Sequence, residues 1–112
     1  MFKLDNNQNI FLTRGDYLIL DLELTNKDTG EPYTPQQGDF IRFAMANDYG
    51  AKKADCLIFK NVDLETLQLE ILPSDTKKLQ FGTYKYDVEF TDAFDHPQTM
   101  ISALFTVGEE VY

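Results

Sequence analysis

A chain of 112 residues with 19 acidic and 10 basic side chains carries a formal charge of −9. That balance excludes the clustered Lys and Arg on which binding to nucleic acid or an anionic membrane surface depends. One cysteine, Cys56, rules out an internal disulfide, so the fold is expected to be independent of oxidation.

Length fits a single domain spanning residues 1–112, with a polar lead at 1–8 and an acidic tail at 108–112. Nine Phe and six Tyr against no Trp make the chain aromatic-rich, which suits strands better than helices. The lead has no continuous apolar core of a secretory signal. No window approaches the roughly 20 apolar residues of a membrane span. Synthesis in the cytoplasm is expected, with no membrane partner.

In chain order, residues 9–13 suggest a short strand, broken by the turn chemistry of Arg14-Gly15-Asp16. From Tyr17 the period of two is very regular. Leu18, Leu20, Leu22 and Leu24 fall on one face, and Ile19, Asp21, Glu23 and Thr25 on the other, as in a half-buried strand. Residues 26–32 are dense in turn formers and 33–38 continue as irregular connection. Residues 39–45 alternate with apolar side chains on both faces, which suggests a central strand. Residues 47–55 read as a loop, 56–60 as a short strand and 61–64 as a turn. Residues 66–72 bury Leu67, Leu69 and Ile71, and Pro73 is expected to end the ladder. Residues 74–79 suit one helical turn, capped by Ser74 or Asp75.

Gly82 opens the next strand, in which Tyr84, Tyr86, Val88 and Phe90 share a face. A turn at 92–97 leads to a last strand at 99–107. There Met100 and Leu104 are apolar but out of phase with Ile101, Ala103, Phe105 and Val107, the pattern of a bulge or a covered outer face. About seven short strands with regular turn signals and no long helix point to an all-β sandwich or barrel. Gly82, Tyr84 and Tyr86 suit the tyrosine corner of an immunoglobulin-like sandwich, where a phenol near the start of strand F bonds backbone a few residues upstream. The same residues also read simply as strand aromatics.

A longer pattern runs through the chain. It comprises Thr13-Arg14-Gly15-Asp16 followed by alternating leucines, then Lys27-Asp28-Thr29-Gly30-Glu31-Pro32-Tyr33 and Asp75-Thr76-Lys77-Lys78-Leu79. Gly82-Thr83-Tyr84-Lys85-Tyr86-Asp87-Val88-Glu89 and Phe105-Thr106-Val107 complete it. This order resembles small phage and prophage tail-associated domains, among them the N-terminal domain of siphophage upper baseplate proteins. The resemblance implies an immunoglobulin-like sandwich of about seven antiparallel strands, with a helical turn before strand F. It further implies a non-enzymatic structural protein of tail, baseplate or neck. Its partners would be other phage structural proteins and further copies of itself, in the bacterial cytoplasm during assembly and then in the virion.

Chemistry is sparse. The only histidine, His96, sits beside Pro97 in a turn, so no Cys56–His96 nucleophile pair is expected. No phosphate loop or zinc spacing appears, and no cofactor is called for. Asp28, Glu31, Asp92 and Asp95 lie in two loops that cluster at one end of such a sandwich, a weak calcium candidate given the six to eight oxygens that calcium takes. Arg14-Gly15-Asp16 is read as a turn, not an integrin ligand. A ligand- or carbohydrate-binding alternative would use Tyr33, Tyr49 and Phe94 as a platform, provided they converge on one concave patch. A third reading, an acidic mimic of nucleic acid, rests on net charge alone. The outer strands, 9–13 and 56–60, are candidates for pairing with another chain, and the lead 1–8 for a swap onto a neighbour.

Overall fold

The computed structural model describes residues 2–4, 8–25 and 29–109. Among the described residues the protein is all-β: a six-stranded mixed sheet and a two-stranded sheet, with one α-helical turn and a 3-10 turn at Lys53–Asp55. The strands are β1 (Phe2–Leu4), β2 (Ile10–Thr13), β3 (Leu18–Asp21), β4 (Phe40–Ala46), β5 (Ile58–Asn61), β6 (Gln68–Ile71), β7 (Gly82–Thr91) and β8 (Pro97–Gly108). The helical turn α1 is Pro73–Thr76. The large sheet has the order β1-β2-β8-β7-β4-β5, and the small one pairs β3 with β6.

Period-two alternation places most strands, though the run expected over 17–25 forms a ladder only over Leu18–Asp21, and the burial follows it. Ile41, Phe43 and Met45 of β4 are buried, as are Tyr84, Tyr86 and Val88 of β7, while Arg42, Ala44, Lys85 and Asp87 face outward and are half-buried. Leu18, Leu69 and Ile71 of the small sheet close over this face. The centre is aromatic: Phe43 and Tyr86 lie 5.3 Å apart between ring centroids, and Tyr86 meets Phe105 edge-on at 6.3 Å. Such pairs add to the area that each ring removes from water.

Three expectations are corrected. The ladder is not wholly antiparallel, because β2 runs parallel to β8, with Ile10 opposite Phe105 and Leu12 opposite Val107. Ile10 and Leu12 are buried in that register, so β2 completes the large sheet instead of joining β3. The strand at 10–13 is also not an outer one. Phe2–Leu4, part of the polar lead, pairs antiparallel with β2 and takes the edge as β1. The helical turn starts at Pro73 rather than after it. Proline is favoured at the first helical position, and the Asp75 carboxylate accepts the Leu72 N–H at 2.7 Å.

The out-of-phase apolar residues of β8 have a structural cause. Val88 lies opposite Ile101 and Glu89 opposite Thr99, so Met100 is the extra residue of a bulge. Met100 and Ile101 both pack against the core in consequence.

Candidate interaction surfaces

A carboxylate and a hydroxyl tie the connections together. Asp39 is only 6% exposed, directly before β4. Its Oδ2 accepts the Tyr33 phenol at 2.6 Å and the Gln36 N–H at 2.7 Å, and its Oδ1 accepts the Ala93 N–H at 3.1 Å. Three donors satisfy a charge that burial would otherwise make costly. One side chain thus fastens the 33–39 connection to the β7–β8 turn. Gly38 fits this junction because its φ is +93° and an added Cβ would lie 2.8 Å from that of Ala93. The bond to Asp39 pushes the Tyr33 phenol up to about 12.

The turn between β2 and β3 is tied to α1 in the same way. Thr76, fully buried, accepts the Gly15 N–H on Oγ1 at 2.9 Å. Arg14 donates to the Leu79 carbonyl at 3.2 Å and lies 4.2 Å over the Phe81 ring. Arg14-Gly15-Asp16 therefore acts as a turn with a structural anchor. Tyr84 donates from its hydroxyl to the Gln80 carbonyl at 2.6 Å. Tyr86 donates to the Gln8 carbonyl, and Gly82, with φ +151°, opens the strand.

The outward face of the large sheet carries a mixed grouping of polar and apolar side chains. Arg42 on β4 bonds Asp87 and, at 3.2 Å, Glu89, both on β7. Beside this triad is a hollow of about 220 Å³, lined by Arg42, Tyr49, Lys53, Cys56, Phe59 and Lys85 among others. Lys53 sits 4.7 Å over the Phe59 ring. Cys56 is half-buried, and its thiol faces the Lys52 carbonyl at 3.5 Å. Phe40 of β4 and Phe11 of β2 are 47% and 52% exposed on this same face, by the alternation that buries Ile41 and Leu12.

Tyr33, Tyr49 and Phe94 do not form one platform. Tyr33 is half-buried, edge-on to Phe90 and committed to Asp39. Phe94, 80% exposed, stands on the β7–β8 turn at that end of the sheet. Tyr49 follows the other end of β4, a strand of 7 residues, some 20 Å away at the usual rise per residue. Its hydroxyl reaches the Ala103 carbonyl at 3.2 Å.

Of the calcium candidates, Asp28 lies outside the described residues. Asp92 is occupied in its own turn, accepting the Phe94 and His96 N–H groups at 2.9 and 3.0 Å. Those bonds hold its pKa below the usual carboxylate value, the His96 N–H contributing most. Asp95 and Glu31 are exposed. Among the described residues no group of three or more His, Cys, Asp or Glu is placed to hold a metal ion, and no helix is long and apolar enough to cross a membrane.

Sequence reasoning missed Asp39 and the Arg42–Asp87–Glu89 triad. Asp39 left one signal, a carboxylate at the junction of a Gly-containing turn and an apolar strand. The triad left none, since it depends on the register of two strands distant in sequence. No protein family and no curated protein matches this chain.

Proposed function

We propose that this chain is a non-enzymatic assembly module of a phage or prophage particle, part of its tail, baseplate or neck, acting through protein–protein contacts. The observation that carries the reading is the outward face of the large sheet. Exposed Phe40 stands two residues along β4 from an arginine held by two carboxylates, with Phe11 exposed farther across the same face on β2, and aromatic and Arg side chains are the groups that dominate protein interfaces. The sequence resemblance supplies the phage assignment. Asp39, Asp87 and Glu89 are engaged in structural bonds, which favours a scaffold over catalysis.

The fold within this proposal is an immunoglobulin-like sandwich. Its support is the packing of β3 and β6 over β4, β7 and β8, the helical turn before β7, and the Tyr84 hydroxyl on a carbonyl four residues upstream. A departure is β2, which joins β8 in parallel.

The test is composition. Particles purified from cells that carry the gene should contain the chain at a fixed ratio to the other structural proteins by quantitative mass spectrometry. A Phe40→Asp variant, folded by circular dichroism, should be depleted from them. A chain abundant in lysate and missing from particles would overturn the reading. The ligand-binding alternative is not favoured, because its three aromatics are spread over two ends of the sheet.

A further inference from the structure

The small sheet has only two strands, and two-stranded sheets are marginal unless more strands or packing complete them. The side of β6 away from β3 is open. Leu22 donates its N–H to the Leu67 carbonyl at 2.8 Å, and bonded pairs alternate along an antiparallel ladder. With Leu20 opposite Leu69 and Leu18 opposite Ile71, those pairs exchange bonds across the sheet. Gln68 and Glu70 then aim their N–H and C=O groups at the open side.

The ends of that side are closed by side chains. The Gln68 N–H faces Thr66 Oγ1 at 3.4 Å, and Asp75 takes the Leu72 N–H at 2.7 Å. Between them the backbone N–H and C=O of Glu70 have no partner among the described residues. The neighbouring side chains lean the other way. Gln68 donates to Asp21 on β3 at 3.0 Å, and the Glu70 carboxylate near the Tyr17 phenol raises the Tyr17 pKa. Beside the uncovered edge runs a groove of about 400 Å³, lined by Lys60, Asn61, Asp63, Thr66, Gln68 and Glu70 among others. Among the described residues that line it the only cation is Lys60, paired with Asp75 at 2.8 Å, so the balance of charge along the edge is acidic, from Asp63 and Glu70.

The geometry points to the β6 edge as a strand-addition site for an extended segment of a partner protein that sets Lys or Arg opposite Glu70, with apolar residues on either side. An antiparallel strand there exchanges both backbone bonds with Glu70, the mode in which main-chain bonds hold the peptide and alternate side chains select it. Residues flanking the pair turn inward beside Leu69 and Ile71. The cation stands on the outer face against the Glu70 carboxylate, a favourable cross-strand pair. A second copy of this chain fits badly. Antiparallel pairing about this position sets Glu70 against Glu70, between two chains of charge −9 each, and like charges directly opposite are destabilising.

The inference rests on reading the chain as an assembly module, and its test is separate from that of the outward sheet face. The probe is a capped seven-residue peptide alternating valine and lysine, with a valine–glutamate peptide as control, followed by amide exchange in NMR. The Val/Lys peptide should slow exchange of the Glu70 amide at least about tenfold, since that N–H passes from solvent into a ladder. The Val/Glu peptide should leave it unchanged.

Glu70→Gln keeps the N–H and loses the charge, so it should weaken binding about two- to fivefold. Glu70→Pro loses both and should abolish binding, while the Leu69 and Ile71 amides stay protected if the ladder to β3 is intact. Glu70→Lys retains the N–H and should reverse the preference between the two peptides, which keeps the test decisive if the proline variant does not fold. Equal binding by Glu70→Lys to both peptides, no protection at Glu70, or dimerisation through β6 would overturn the edge assignment. Particles that still incorporate the chain through Phe40 would leave the assembly reading standing in that case.

Discussion

The two sheets are held together by different means. Every strand of the large sheet except β1 and β5 has a neighbour on both sides, and its inner face is a continuous aromatic and aliphatic layer around Phe43, Tyr86 and Phe105. The small sheet has one internal ladder of four residue pairs. Leu18, Leu69 and Ile71 pack it into the shared core, and polar ties at its ends hold it as well: Thr76 to Gly15, Arg14 to Leu79, and Lys60 to Asp75. The same chain thus builds a self-sufficient layer and an incomplete one. The complete layer presents a broad outward face, and the incomplete one an open edge.

The largest expected effect comes from breaking the self-sufficient layer. Phe43→Ala empties the centre of the aromatic cluster and should cost about 3–5 kcal/mol, read as a loss of global stability in denaturant melts. Asp39→Ala removes the acceptor of three donors at the end of that layer. It should cost about 2–4 kcal/mol, given the strength of bonds to a charged acceptor, and should expose Tyr33 to solvent in fluorescence quenching. Thr76→Val keeps the shape and orphans the Gly15 N–H, at about 1–3 kcal/mol. Its effect should fall on the small sheet, with amide exchange faster in β3 and β6 and little changed in β4.

The smallest effect is a dependence on pH. The Tyr33 phenol, raised from 10.0 to about 12 by its bond to Asp39, favours the folded state while it stays protonated. Its contribution is present below pH 10 and is lost as pH rises from 10 toward 12. Denaturant midpoints for wild type and Tyr33→Phe should therefore converge across that window.

Much of this comparison was legible in residue order. The leucines of 18–24 and the aromatics of 84–90 mark their buried faces by period two, and the phase slip at Met100 marked the bulge in β8. Pairing across long separations was not legible. Periodicity says which face of residues 10–13 is buried, and nothing in it says that the strand lies parallel to β8. Residues 2–4 were hidden by the polar stretch beside them. Asp39 reads as an ordinary turn residue until the β7–β8 turn brings the Ala93 N–H to it. Glu70 reads as a solvent-facing strand position, and only the strand order shows that its backbone is open as well.

Native-state hydrogen exchange on the isolated chain tests the central contrast most directly. The amides of Leu18, Leu20, Leu69 and Ile71 should exchange through openings well below the global unfolding free energy, while those of Phe43, Met45 and Tyr86 exchange only through global unfolding. Equal protection in the two sheets would contradict the incompleteness of the small one, and with it the reason for a partner strand at β6.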